Sequence, residues 1–291
     1  MKVIITSSRG QEKIEISATA TVADLKKEYR PKVSVHRKAL KFTPAGSDKG
    51  VNLENEKTLI SYGIKEGSEI SYKDLGPQVG YRTVFVVEYA GPIAFMALYA
   101  SRPSFIYGAT VAPMGSTQSL YVVLFLLHFV KRELETFFVH KFSRPTMPLM
   151  NIVKNSVYYW SFAAVIGYAE CHPQYTAPTH GLENIAAAAW ALFELGNLLV
   201  HLQLGGMRKE EGETTRNVPK GPLFSLVSCP NYTFEVLGWA AFSLGTNLAM
   251  SWVFTLVGLA QMTDWALKKH KGYVKADPSN KKKKSIIPFV I

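Results

Sequence analysis

The chain changes character at Pro77, and no other feature limits its fold so strongly. Residues 1–76 are polar and carry both signs of charge, whereas residues 82–262 hold nearly all the long apolar runs. The overall composition, 47% hydrophobic and 19% charged, therefore averages two unlike parts. Met1-Lys-Val-Ile-Ile-Thr leads straight into Ser7, Ser8, Arg9 and Gly10, so no apolar signal-peptide core forms there. An internal segment is expected to drive membrane insertion.

Six spanning segments are expected, near 82–100, 117–130, 156–170, 185–204, 232–245 and 247–262. Several fall short of the roughly 20 apolar residues that an isolated span needs. Glu88, Glu194, His201 and Glu235 lie within or at the edges of these segments. Ionisable groups at membrane depth normally face a bundle interior or a water-filled cavity. A helix bundle packed around a polar chamber accounts for both oddities. A soluble all-helical enzyme fits less well, because 185–204 and 232–262 have almost no polar face to show water.

Lysine and arginine fix the expected orientation. With the N-terminal region in the cytosol, loops 101–116 and 171–184 are lumenal and contain one basic residue, Arg102. Loops 131–155 and 205–231 are cytosolic and contain five and four, and the tail from Lys268 adds eight. This is the positive-inside pattern, and six spans return the tail to the cytosol. The net charge of +11 thus has a topological reading; the basic residues flank apolar segments, so no nucleic-acid partner is expected. Cys171 and Cys229 fall on opposite sides of the membrane and offer neither a disulfide framework nor a metal site.

Residues 1–76 read as strands at 2–8 and 11–17 joined by Arg9-Gly10, then a helix capped by Thr21 with Val22, Leu25 and Tyr29 on one face. A strand follows at 38–43, and Thr58 to Tyr72 matches the closing part of ubiquitin-like domains. The order and size fit a β-grasp fold, with a generic small α+β domain as the bland alternative. The chain is therefore expected to be mainly α: a ubiquitin-like cytosolic domain over 1–76, then a transmembrane helix-bundle domain over 77–291.

Four polar constellations flank the cytosolic ends of the spans. His128, Lys131, Arg132 and Glu135 share a helical face, as interface anchors or as lining of the chamber. Glu194, Asn197 and His201 share another, followed by Arg208 after a break at Gly205-Gly206; plain interhelical hydrogen bonding is the competing reading. The third is Gly212-Glu-Thr-Thr-Arg-Asn-Val-Pro-Lys-Gly-Pro with Cys229-Pro-Asn-Tyr-Thr-Phe-Glu235. There Pro230 and Asn231 start a helix, and Tyr232, by itself an ordinary interfacial tyrosine, is expected to share a face with Glu235. The fourth is Lys269-His-Lys-Gly-Tyr273 with Lys281–Lys284. Dinucleotide-binding Gly-x-Gly-x-x-Gly, a P-loop and His-Glu-x-x-His are all missing, so side chains of cytosolic loops must hold any phosphate-bearing cofactor.

His128-Phe-Val-Lys-Arg-Glu-Leu-Glu-Thr-Phe-Phe-Val-His, Ser228-Cys-Pro-Asn-Tyr-Thr-Phe-Glu, Gln261-Met-Thr-Asp-Trp-Ala-Leu-Lys-Lys-His and the Ile-Pro-Phe ending resemble the very-long-chain trans-2-enoyl-CoA reductases of the steroid 5α-reductase family. The resemblance covers nearly the whole chain. It implies NADPH as cofactor, with Asn197, His201 and Arg208 at dinucleotide contacts and Asn231 and Tyr273 lining that pocket. It implies an essential basic pair in Lys131 and Arg132, a proton-donating Tyr232 and a buried carboxylate in Glu235. Many relatives carry Leu-Arg-x-Leu-Arg where this chain has Leu204-Gly-Gly-Met-Arg208, so one basic contact is missing or moved. The implied partners are a long-chain enoyl-CoA, membrane lipid and other fatty-acid elongase components, at the endoplasmic-reticulum membrane.

The residue types suit that chemistry. Hydride addition at C3 of an enoyl thioester builds negative charge on the thioester oxygen and C2, which a positioned acid stabilises or protonates. A tyrosine hydroxyl, ordinarily titrating at about 10, stays protonated in the cytosol. A steroid enone or polyprenal reductase is the alternative within the same fold. A membrane adaptor displaying a ubiquitin-like domain is the non-enzymatic one, but an adaptor has no need of buried Glu194, His201 and Glu235.

Overall fold

The computed structural model describes residues 1–208 and 217–291. They form two compact units, one of residues 1–80 with 146–150, the other of 81–145 with 151–291.

The first unit is a mixed five-stranded sheet of β1 (Lys2–Ser7), β2 (Gly10–Glu15), β3 (Lys38–Phe42), β4 (Val51–Asn52) and β5 (Glu69–Asp74) in the order β2-β1-β5-β3-β4. Strand β1 pairs antiparallel with β2, with Ser7 opposite Gly10, and parallel with β5, with Ile5 opposite Ile70. The hairpin turns at Ser8-Arg9, and Gly10 supplies the positive φ of 120° that closes it. Helix α1 (Val22–Glu28) starts where the sequence indicates: Thr21 Oγ1 accepts from the Asp24 amide at 3.2 Å and Asp24 Oδ2 accepts from the Thr21 amide at 3.1 Å. Val22, Leu25 and Tyr29 are buried together with Val3, Ile5, Leu40, Leu59 and Ile70. Each such aliphatic side chain contributes about 1.5–3 kcal/mol by leaving water.

A lysine closes the other end of α1. Lys38, 1% exposed, donates through Nζ to the carbonyls of Tyr29 at 2.6 Å and Arg30 at 2.9 Å, and also to that of Lys26. Those carbonyls lie at the helix end, where no further amide follows to bond them, and a cation is favourable against their partial negative charge. A short pair, β6 (Gln78–Gly80) with β7 (Thr146–Pro148), completes this unit.

In the second unit every apolar segment of the sequence is a helix: α2 (Tyr81–Ala100), α4 (Ser116–Phe138), α5 (Met150–Glu170), α6 (Glu183–Gly206), α7 (Pro230–Thr246) and α8 (Ala249–Ala276), with a single turn, α3 (Ser104–Tyr107), between the first two. Among the described residues, α2 and α6 are long and apolar enough to cross a membrane. An aromatic core joins the helices: Trp239 meets Phe254 edge-on at 4.6 Å and Phe125 at 5.9 Å, with Phe129 and Phe242 around them.

Several helices run past the bounds read from the sequence: α4 reaches Phe138, beyond 130, and α5 starts at Met150, before 156. Helix α6 ends at Gly206, at the break read from Gly205-Gly206. A Cβ on Gly205 would run into the Val139 carbonyl just past α4, so the glycine permits a close approach of backbones. Helix α8 runs to Ala276, well beyond 262, because no proline intervenes before Pro278. Helices α7 and α8 are separated by Asn247 in the left-handed conformation (φ 54°).

Lys38→Met should leave the α1 carbonyls without their donor and lower the local stability of this unit by about 1–3 kcal/mol. Hydrogen exchange of the α1 amides in the intact protein measures this; unchanged protection would mean that water replaces the lysine at no penalty.

Candidate functional site

Polar side chains from α4, α6 and α7 converge in the second unit, with α2 contributing one tyrosine. On α4, His128, Lys131, Arg132 and Glu135 recur at helical spacing and turn inward; the side chains of Lys131 and Arg132 are only 17% and 13% exposed. They are not snorkelling anchors. Glu194, Asn197 and His201 supply the facing stripe of α6, and Asn231, Glu235 and Trp239 that of α7.

The contacts form one continuous net. Lys131 Nζ lies 2.7 Å from Glu194 Oε2 and donates to Asn197 Oδ1 at 2.7 Å. The Asn197 amide donates to the Asn231 carbonyl at 2.9 Å and to Glu235 Oε2 at 3.1 Å, so both ends of that side chain are fixed. His128 bridges two carboxylates, with Nδ1 2.8 Å from Glu194 Oε1 and Nε2 3.4 Å from Glu235 Oε1. Trp239 Nε1 also donates to Glu235 Oε1, at 3.2 Å. Arg132 donates to Glu135 Oε2 at 2.5 Å and to the Tyr89 hydroxyl at 2.9 Å, with its guanidinium 5.1 Å from the centre of the tyrosine ring.

His201 Nδ1 lies 3.0 Å from Glu135 Oε2 and 3.1 Å from Arg132 Nη1. One nitrogen cannot donate to the first and accept from the second. Arg132 already holds Glu135 directly, so a proton on Nδ1 donated to the carboxylate satisfies both neighbours. Beside it stands His140, whose ring centre is 5.2 Å from that of His201. Burial, reinforced by the charge of Arg132, pushes the His140 pKa down to about 3, so its ring is neutral. His140 Nδ1 and Glu135 Oε1 are buried without a hydrogen-bond partner. Ligand atoms of Glu135, His140 and His201 lie within 4.8 Å of one another, with the Arg132 guanidinium already on Glu135 Oε2 as a competing cation.

Of the residues singled out in the sequence, Lys131, Arg132, Asn197, His201 and Glu235 meet in this net, and Asn231 joins through its backbone carbonyl. Tyr232 does not share the face of Glu235: it packs toward α8, with Lys269 Nζ 4.6 Å from its ring centre and Trp265 at 6.2 Å. Tyr273 lies on the same helix and acts electrostatically on Lys269. Arg208 and Lys141 clasp each other's backbone, the lysine donating to the Arg208 carbonyl at 2.6 Å and the arginine to that of Lys141. Gly212 to Arg216 lie outside the described residues. Sequence reasoning missed Tyr89 and His140; the one signal for Tyr89 was its place beside Glu88, which Asn155 bonds at 2.7 Å.

Comparison with known proteins now decides the family. Residues 145–291 match the family described as 3-oxo-5-alpha-steroid 4-dehydrogenase. The chain belongs to that family. It is 57% identical over 298 residues to a Trypanosoma brucei brucei protein named as an enoyl-CoA reductase, covering 100% of both chains. It is 37% identical to the very-long-chain enoyl-CoA reductase of Dictyostelium discoideum, over 99% of this chain and 98% of that one. The mouse trans-2,3-enoyl-CoA reductase-like protein is 32% identical, over 95% of this chain and 79% of its own length. The family and the two apolar helices mark the chain as a membrane protein.

Replacing Glu194 by Leu should strip the buried Lys131 and His128 of their nearest counter-charge and destabilise the second unit by about 3–5 kcal/mol. Glu194→Gln keeps the shape and should fall between. Thermal unfolding in detergent ranks the three proteins, and equal stabilities would show the net to be energetically idle.

Proposed function

We propose that this protein reduces the 2,3-double bond of very-long-chain trans-2-enoyl-CoA with NADPH, as an oxidoreductase of fatty-acid elongation in the endoplasmic-reticulum membrane. The observation that carries the reading is the buried net of Lys131, Arg132, Glu135, Glu194, Asn197 and His201, of which Lys131, Arg132 and Glu135 stand in a stretch that resembles the enoyl-CoA reductases. Near-full-length relatives named as enoyl-CoA reductases support the same substrate class. In this reading six helices span the bilayer, both termini are cytosolic, and residues 1–76 are a ubiquitin-like domain, consistent with the β2-β1-β5-β3-β4 sheet and its single packed helix.

The donor set suits a nicotinamide nucleotide. His140 Nδ1 is a buried acceptor without a hydrogen-bond partner, and Glu135 Oε1 has only the Lys131 ammonium at 3.6 Å, which suits the carboxamide and ribose donors of such a cofactor. The net holds three carboxylates against two cations, so phosphates belong outside it, toward Arg208 on the rim. Asn197 and His201 would orient the cofactor's uncharged end, with Asn231 and Tyr273 lining the pocket. When bound, NADPH supplies the hydride for C3.

The chain's own residues then have to stabilise the enolate and deliver a proton to C2. Tyr232, with Lys269 against its ring, suits the acid implied by the resemblance, and Glu235 would hold the net beside it. A second hydroxyl is favoured by a specific contact: Tyr89 receives a hydrogen bond from Arg132, which would help it carry negative charge. Removing either hydroxyl by Tyr→Phe tests the choice. Loss of the acid should lower turnover roughly 10²–10⁴-fold while NADPH binding survives. Near-normal turnover in Tyr232→Phe with a collapse in Tyr89→Phe would move the role to α2. Loss in neither would end the tyrosine mechanism. Oxidation of NADPH by the purified protein given a long enoyl-CoA, a steroid enone or neither tests the substrate class itself.

The topology makes a separate claim. Asn231-Tyr232-Thr233 is the N-glycosylation sequon of the sequence, and in this reading it faces the cytosol; Asn231 is also only 7% exposed, in the first turn of α7. Membrane-expressed protein should show no mobility change on deglycosylation, and a shift would overturn the orientation.

A further inference from the structure

Beyond α8 the chain turns back and is fastened. Asp277 Oδ1 accepts from the Ser279 amide at 3.0 Å, and Pro278–Lys282 form a 3-10 turn. The Lys284 amide donates to the Leu226 carbonyl at 3.1 Å, and the amides of Ser228 and Cys229 donate to the carbonyls of Lys284 at 2.8 Å and Ser285 at 3.1 Å. Thr233 Oγ1 donates to the Ile286 carbonyl at 2.5 Å, and Asn280, Ser285 and Ile286 are buried. Lys281–Lys284 is therefore a fixed strap, and the ordering of its backbone has already been met by folding.

Four successive cations held in place repel one another unless an anion is near. Among the described residues none of them is paired with a carboxylate; Lys284 Nζ reaches only the Val290 carbonyl, at 3.4 Å. Asp277, which feels Lys220 and Lys283, is engaged in capping the turn. Between the strap and the last turns of α8 lies a cleft of about 390 Å³, lined by the four lysines together with Leu267, His270 and the closing Val290 and Ile291, whose terminal oxygen accepts from the amides of Ile286 and Ile287. Ser228 Oγ fixes the His270 ring through Nδ1 at 2.7 Å. The cleft thus offers cationic heads beside a ring and an aliphatic side chain. Strap residue Ile286 also packs with Cys229, Ala266 and Tyr232, so the cleft adjoins the α7–α8 face on which Tyr232 lies.

We propose that this cleft binds the 3′-phosphorylated ADP end of the acyl-CoA, with Lys281–Lys284 meeting its phosphates and Leu267 and His270 flanking the adenine. The proposal rests on the enoyl-CoA reductase reading for its ligand. A phosphate on the 2′-phosphorylated ADP of NADPH or on an anionic lipid headgroup has the same charge chemistry, so the test separates the three.

Full-length protein in neutral detergent is titrated with adenosine 3′,5′-bisphosphate, as wild type and as the Lys281→Gln/Lys283→Gln double variant. The expected result is saturable binding weakened about tenfold or more in the variant, the loss of about 1.4 kcal/mol or more of charge-assisted contact. The ratio of KM for a long enoyl-CoA to KM for the same enoyl thioester of N-acetylcysteamine, which lacks the nucleotide, should rise by the same factor. No bisphosphate binding, or an unchanged ratio, overturns the proposal. A rise confined to the KM for NADPH reassigns the cleft to the cofactor. Binding of the wild type to phosphatidylserine vesicles but not to the bisphosphate reassigns it to lipid. If the wild type reduces neither thioester, the reductase reading fails by itself, and the bisphosphate titration still decides the cleft.

Discussion

Lys131 and Glu194 meet at 2.7 Å between α4 and α6, and most of the second unit is arranged so that they can. Each charge, taken out of water alone, would cost several kcal/mol, and only close pairing with further hydrogen bonds offsets that. The supporting partners come from these two helices and from α7. His128 holds the second oxygen of Glu194 and lies 3.4 Å from Glu235 of α7, Asn197 accepts a hydrogen bond from Lys131 and donates to Glu235, and Arg132 and His201 bind Glu135 in parallel. Three helices are thereby fixed in rotation as well as in distance, because turning any one of them would strand a charge. The aromatic shell of Phe129 and Trp239 packs directly against His128 and keeps that end of the net dry.

Helix α7 works as a wall with two chemically different faces. Toward α6 it carries the carboxylate of Glu235 and the carbonyl of Asn231, both bound by Asn197. Toward α8 it carries Tyr232, with Lys269 over its ring. In the proposed reading the cofactor's reacting end and the substrate's charged handle would take one face each. The buried acceptors His140 Nδ1 and Glu135 Oε1 lie on the α6 side and the lysine strap on the α8 side.

Much of this was legible in the sequence, for physical reasons that can be named. Thr21 and Asp24 spell a capping box, and Val22, Leu25 and Tyr29 fall on one helical face. All six apolar segments are helices, and the polar positions on α4 and α6 stand at the helical period inside apolar stretches, so their convergence could be expected. Other features depend on which neighbour a helix meets. Tyr232 and Glu235 are three residues apart, which leaves them about 60° apart around a helix. With α6 on one side and α8 on the other, that angle is enough to divide them, and sequence spacing cannot foretell it. Gly205-Gly206 reads as a break because glycine weakens helices, and α6 does end at Gly206, but the Val139 backbone also requires the missing side chain of Gly205. Tyr89 reads as ordinary apolar-helix tyrosine until Arg132 is seen against it.

The bend at Asn247 makes chain length itself a constraint. Only Asn247 and Leu248 join α7 to α8, and hydroxyl pairs, Ser243 with Thr255 at 3.1 Å and Thr246 with Ser251 at 3.4 Å, pin the two helices immediately beyond it. From that fixed point Tyr232 is reached by counting backward along one helix and Lys269 by counting forward along the other. One inserted residue on either arm would rotate everything past it by about 100° and shift it by about 1.5 Å. Substitutions along the outward-facing side of these helices leave that count untouched. Insertions and deletions do not, so evolution can repaint this hairpin freely but can scarcely change its length.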